Sequence, residues 1–239
     1  MTGTAEIPTV LSWSGGKDAA FALWEMGQSD TVAVIELLTT VSADTDRSSM
    51  HGVRRDLYER QAEALDLPIR FVGIPEDASN EEYEAAMAEA TAEYERRGVE
   101  RLAFADLFLE DIRAYREDRL ADTDVEGYWP IWGRDTDEVI REFLDAGFEA
   151  TVVAVEGDSL SASFAGRRLD ADFLADLPED VDPCGENGEF HTFVHDGPIF
   201  DSPVPVRTGE RVTKGVGPED ATIHYCDLLV PDGSATSER

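Results

Sequence analysis

The sequence is poor in lysine, in cysteine and in long apolar runs. Among 239 residues there are two lysines, Lys17 and Lys214, against eighteen arginines, and 52 acidic residues leave a formal net charge of −32. A partner held mainly through phosphate contacts needs clustered Lys and Arg. A nucleic-acid partner is therefore disfavoured. The acids are spread along the whole chain, which fits a solvated, self-repelling surface suited to high salt, where screening is short-ranged. A functional acidic face for a basic partner is the competing explanation. The two cysteines, Cys184 and Cys226, make neither a disulfide framework nor, unaided, a four-ligand zinc site. No apolar run approaches the roughly 20 residues of a membrane span. Residues Met1 to Pro8 lack the basic start and apolar middle of a signal peptide. The expected location is the cytoplasm.

What is present is a chain long enough for one large or two modest domains, with an apolar fraction of 42%. Its first half alternates strand and helix patterns. Strands are expected at Thr9–Trp13, Thr31–Leu38, Ile69–Ile74, Arg101–Leu107 and Glu149–Val155. Helices are expected at Lys17–Met26 and Arg54–Leu65, after a capping box at Ser79 and Glu82, and after a cap at Asp135-x-x-Glu138. The helix after Ser79 carries an apolar stripe of Tyr83, Met87, Ala90 and Tyr94. Strands apolar on both faces, joined by helices, imply an α/β fold with a parallel sheet. Beyond about Ser159 the chain is punctuated by Gly, Pro and Asp, which reads as a smaller α+β elaboration. The expected division is 1–128, 129–230 and a frayed tail at 231–239, with the boundary anywhere between Glu126 and Ser159.

The first expected strand runs into Ser14-Gly15-Gly16-Lys17-Asp18 and then a helix. Free amides and the positive helix end make such a turn an anion site, glycine lets the backbone approach the anion, and Lys17 adds a charge. A plain strand-to-helix turn is the alternative for Gly-Gly alone. The spacing is neither the Walker loop nor the dinucleotide fingerprint. Asp106 falls at the carboxyl edge of the sheet, where open α/β proteins bind ligands; a helix cap is its plainer role. Glu186 and Glu189 bracket a turn. Arg113 and Arg116 share a helical face, where surface pairing competes with ligand binding. Cys184 reads as a small buried residue, since nucleophilicity requires a lowered pKa.

The Ser14–Asp18 stretch resembles the PP-loop of the ATP pyrophosphatases, with Ala19 where the usual final Ser stands. Three further stretches, "SSMHGVRRDLYERQAEALDLP", "ADLFLEDIRAYRED" and "DPCGENGEFHTFVHDGPIF", extend the likeness. In this order they resemble the diphthine–ammonia ligase family of PP-loop proteins, over roughly Val10 to Phe200. The resemblance implies a Rossmann-like, HUP-type sheet with helices on both faces. It implies an ATP-dependent ligase that adenylates the carboxylate of diphthine on translation elongation factor 2 and amidates it with ammonium. ATP would be held by Ser12, Ser14, Gly15, Gly16, Lys17 and Asp18, with Mg2+ as cofactor and Asp18 as a candidate metal contact. Lys17, Asp106, Glu186 and Glu189 would be catalytic. His51, Arg113 and His191 would face the substrate, with a solvated loop position as the alternative for His51. Trp129 and Trp132 are candidates for a wall against the trimethylammonium group, although core packing at the domain junction is the favoured role for them. Two departures are Ala105 where a Gly often precedes the Asp, and Asn187 in a signature that often reads Glu-Gly-Gly-Glu. A PP-loop enzyme with another acceptor, such as a tRNA, and a non-catalytic adenine-nucleotide sensor are the alternatives.

Overall fold

The computed structural model describes residues 6–48, 51–216 and 221–231. The expected tail lies, beyond its first residue, outside the described residues. Five strands, β1 (Ile7–Ser12), β2 (Val32–Ser42), β3 (Ile69–Ile74), β4 (Arg101–Ala103) and β5 (Glu126–Tyr128), form a parallel sheet in the order β3-β2-β1-β4-β5. Helices α1 (Lys17–Gly27), α2 (Arg55–Ala64), α3 (Asn80–Arg96) and α4 (Glu110–Leu120) connect them. The chain starts in the middle, moves out to β3, and returns to the far side of β1. The order thus reverses between β1 and β4, and ligands of open α/β sheets bind at the carboxyl ends beside that reversal.

Successive strand residues feed opposite faces of the sheet. Leu11, Leu37 and Ala103 join one buried cluster with α1 and α2. Val10, Leu38 and Leu102 join another with α3 and α4. Local signals set the helix starts. At α3 the Ser79 side chain accepts from Glu82 N–H while the Glu82 carboxylate accepts from Ser79 N–H. At α5 (Thr136–Asp145) the Asp135 side chain accepts from Glu138 N–H.

The rest of the chain builds a second sheet, antiparallel, in the order β7-β6-β9-β8, from β6 (Glu149–Glu156), β7 (Phe190–Asp196), β8 (Arg207–Val216) and β9 (Ala221–Leu229). A short helix α6 (Ala171–Ala175) lies between β6 and β7. This sheet shares the α1/α2 core: Val152, Val155, Phe190 and Phe193 pack with Phe21, Leu57 and Tyr58. Among the described residues, no helix is long and apolar enough to cross a membrane.

Three expectations need correction. The strand expected to reach Leu107 leaves the sheet at Ala103, because the next residues turn toward the site. Glu149–Val155 is a strand, but an antiparallel one in the second sheet; six consecutive buried residues look the same in either setting. The stripe on α3 is only half buried: Ala90 and Tyr94 are inside, whereas Tyr83 is 37% exposed.

Candidate functional site

The Ser14–Asp18 loop leaves the carboxyl end of β1 and is clamped from two sides. Gly15 has φ +71°, and a Cβ there would lie 2.7 Å from both the Gln61 Oε1 and the Tyr58 ring, so only glycine fits. From α2, the Tyr58 hydroxyl donates to Ser14 O at 3.1 Å. Gln61, fully buried, donates to Gly15 O at 3.0 Å and Val194 O at 2.6 Å, and accepts from Trp13 Nε1 at 2.9 Å. From β7, Val194 N–H donates to Gly15 O at 2.9 Å, and the Thr192 hydroxyl accepts from Lys17 N–H at 3.0 Å. The loop amides are thus not all free. Lys17 N–H is taken by Thr192, and Gly16 N–H donates to Ser14 Oγ at 3.3 Å. Tyr58, Gln61 and Thr192 escaped the sequence reading. Gln61 was detectable, since it stands four residues after Leu57 on the apolar face of its helix.

A cavity of about 350 Å3 opens above this loop, between it, the stretch after β4 and the 185–192 segment. Ser12, Ser14, Gly16, Lys17, Asp18, His51, Asp106, Glu186 and His191 all line it. Gly15 sits beneath, against α2. Lys17 is 4% exposed, and its ammonium reaches both Asp18 oxygens, at 2.8 and 2.7 Å. Burial works to lower the Lys17 pKa, but attraction from Asp18 and Glu186 outweighs it and the net shift is upward, so the ammonium stays charged. Both Asp18 oxygens being engaged by Lys17, Asp18 is first an ion-pair partner. Among the described residues, no group of three or more His, Cys, Asp or Glu side chains is arranged to hold a metal ion.

Glu186 presents its carboxyl to the cavity and accepts from Leu107 N–H at 2.6 Å. Burial, followed by repulsion from Asp18, pushes its pKa up to about 7, against the pull of Leu107 N–H and Lys17. Glu189 does a different job. It is absent from the cavity wall; its Oε1 accepts from Asp182 N–H at 3.1 Å and from Asn187 Nδ2 at 3.0 Å, which ties the turn. Its other oxygen is buried without a hydrogen-bond partner in the structure. The left-handed positions of the turn are Gly185 and Gly188, so Asn187 has no unusual backbone angle to tolerate, and neither has Ala105.

His51 and His191, 140 positions apart in sequence, meet edge to face with ring centroids 4.5 Å apart. Burial, then the partner ring and Lys17, holds His51 well below the usual imidazole range; burial and Lys17 bring His191 down to about 4. Both rings are neutral at pH 7 and able to donate or accept at one nitrogen each. Cys184 is fully buried, and burial raises its thiol to about 12, so it rests as the neutral thiol.

The arginines exchange places. Arg116 lines the cavity, holds Asp106 Oδ1 at 3.2 Å and stacks on Phe104, with its guanidinium carbon 4.2 Å from the ring centre. Arg113 points elsewhere: it pairs with Glu117 at 2.8 Å and stacks against Trp129 and Trp132, at 4.7 and 4.8 Å from their ring centres. The two tryptophan faces therefore already hold a cation of the chain itself, and Trp129 Nε1 donates to Asp106 Oδ2 at 3.2 Å. Placement favours Arg116 over Arg113 as the ligand-facing cation.

The diphthamide synthase N-terminal domain matches residues 8–122 and the diphthamide synthase C-terminal domain matches residues 135–218. The chain belongs to the diphthamide synthase family. The first match contains the loop, His51, Asp106 and Arg116; the second contains Glu186, His191 and Thr192. A diphthine–ammonia ligase of Schizosaccharomyces pombe is 25% identical over 224 residues, covering 85% of this chain and 37% of that one. A diphthine–ammonia ligase of Rattus norvegicus is 29% identical over 106 residues, covering 42% of this chain and 36% of that one. The chain thus spans little more than a third of the length of these relatives. In three dimensions it overlaps a U34-tRNA thiolase, NcsA, of Methanococcus maripaludis with its [4Fe-4S] cluster. That overlap has a TM-score of 0.38 and 14% identity and covers 60% of this chain and 59% of that one, too loose to carry a shared function.

Proposed function

We propose that this chain is an ATP-dependent ligase that turns a carboxylate into an amide, with diphthine on translation elongation factor 2 as acceptor and ammonium as nitrogen source. The observation that carries the reading is the meeting of Lys17 and Glu186 in one cavity, over a glycine loop at the switch point of the sheet. Family membership supplies the reaction class. A carboxylate is a poor acyl donor. Attack of its oxygen on the α-phosphorus of ATP breaks the bond to the β-phosphate and releases pyrophosphate. Ammonia then attacks the acyl carbon and AMP leaves with the electron pair.

Lys17 and the amino end of α1 stand where the phosphates' negative charge would lie, and Arg116 adds a second cation at the rim. A pyrophosphate oxygen that replaces Asp18 on the Lys17 ammonium would free the Asp18 carboxylate. Mg2+ would then be held by Asp18 together with phosphate oxygens, which suits an ion that needs only one or two carboxylates, and it would neutralise the leaving group. Glu186, with a pKa near 7, is matched to take a proton from the attacking nitrogen and pass it to water. The neutral His51–His191 pair would orient the acceptor without adding charge beside Lys17.

The test is release of pyrophosphate and AMP from ATP with Mg2+, ammonium and diphthine-bearing elongation factor 2, in concentrated KCl. Release should require the factor and fall by about 10²–10³-fold in Lys17→Ala. Release indifferent to the factor would keep the ATP chemistry and remove the acceptor. Equal release by Lys17→Ala would remove the site.

A further inference from the structure

The α3/α4 face of the parallel sheet is incompletely covered. Of the eleven residues of α4 only Leu120 is buried. Between α3 and α4 lies a groove of about 940 Å3 with Leu102 and Phe104 of the sheet layer among its lining residues. Six large apolar side chains among the described residues are conspicuously exposed, and three of them line this groove: Tyr83 on α3, and Ile112 and Tyr115 on α4. Exposures of 37 to 41% are out of keeping with a chain of net charge −32, whose remaining surface is acid-rich. Apolar patches rimmed by charge mark interaction sites.

Two features say what covers it. The rim is acidic: Glu81, Glu84, Asp118 and Asp122 line the groove, and of these Glu84 and Asp118 both pair with Arg119, two carboxylates against one guanidinium. The groove also adjoins the catalytic cavity, with Arg116 as a wall residue of both. We propose that this groove docks the polypeptide acceptor through a cationic amphipathic segment, apolar along the floor and basic along the flanks, laid between α3 and α4 so that the reacting side chain passes Arg116. This rests on the reading of the chain as a ligase acting on a protein. Helix-in-groove recognition uses this arrangement, with apolar anchors giving affinity and complementary charge giving orientation.

Two double variants test it: Tyr83→Ser with Ile112→Ser on the floor, and Glu81→Arg with Asp122→Arg on the rim. All four positions are exposed, and circular dichroism confirms folding. Binding of elongation factor 2 is measured apart from turnover. Each variant should weaken binding, and raise the KM for the factor, by at least about tenfold, with the KM for ATP unchanged. Unchanged binding of the factor in both variants overturns the groove. If the wild type neither binds nor turns over the factor, the acceptor assignment has failed, and the probe becomes a helical peptide with leucines on one face and arginines on its flanks. Binding of that peptide to the wild type and not to the variants supports the groove; no binding to the wild type overturns it. Light scattering that shows a dimer lost in the floor variant also overturns it, since a second copy would then be the occupant.

Discussion

The two faces of the parallel sheet receive the same material from the strands and treat it differently. Neighbouring residues in one strand, Leu11 and Val10, Leu37 and Leu38, Ala103 and Leu102, are divided between them. On the α1/α2 face a second sheet closes over the helices, and buried polar groups, Gln61 above all, stitch loop, helix and β7 together. On the α3/α4 face the helices contact each other largely through exposed pairs, Arg119 and Tyr115 with Glu84. Exposed pairs contribute little to stability. An anion-binding loop has to be immobile before the ligand arrives, and the clamped face supplies that. An open groove needs surface left over, and the other face has it.

The largest test of the clamped face is Glu186→Gln, which keeps an oxygen for Leu107 N–H but removes the titrating group. The rate of amide formation should fall by about 10²–10⁴-fold, and the limb of the pH–rate profile near pH 7 should vanish. Stability has its own signature. The folded-state pKa of about 7 lies above the ordinary carboxylate value, so the stabilising contribution is complete below about pH 4.3 and is lost as pH rises through 7. The Gln variant should match its parent in acid and melt higher above pH 7. His191 works in the opposite sense: with a folded-state pKa of about 4, its contribution is present above about pH 6.5 and lost as pH falls through 4. The variant-minus-parent difference isolates Glu186. A difference that stays flat from pH 4 to 8 would remove the perturbed carboxyl and with it the proposed base.

Gln61→Leu comes next. The shape is nearly kept, yet Trp13 Nε1 loses its acceptor and Val194 O loses its donor. Buried groups left unpaired cost about 1–3 kcal/mol each, so chemical denaturation should report a loss of about 3 kcal/mol. Because Gly15 O also loses one of its two donors and keeps only Val194 N–H, the KM for ATP should rise in parallel. A loss under about 1 kcal/mol would mean that Gln61 contributes little to joining the two sheets.

Much of this architecture was legible before any coordinates. Ile69–Ile74 is a strand with those bounds, and the Ser79 box opens α3, because apolar runs and caps are local signals. The site was legible as a set of stretches rather than as roles. Glu186 and Glu189 look alike three residues apart, and only the turn of Gly185 and Gly188 sends one carboxyl to the cavity and the other back to Asp182. Arg113 and Arg116 share a helix, and Trp129 and Trp132 decide between them by capturing the first. The strand β5 has three residues and no apolar run, so nothing local announced it. The sheet to which β6 belongs depends on its partners β7 and β9, which lie far along the chain.

The smallest effect belongs to the open face. Leu120 is the single buried residue of α4 and is 7% exposed beside the groove. Leu120→Ala should destabilise the whole molecule by no more than about 2 kcal/mol, at or below the bottom of the usual range for a buried leucine, because the site borders open space into which neighbours and water can relax. The same logic predicts where the molecule opens first. With one buried residue, α4 should exchange its amide hydrogens through a local opening well below the global unfolding free energy, whereas the amides of α1, packed against Leu57 and β7, should exchange only near the global limit. Leu120→Ala should speed exchange in α4 and leave α1 almost unaffected. Equal acceleration in both helices would mean that the two faces unfold as one unit, and that the groove is as rigid as the site it adjoins.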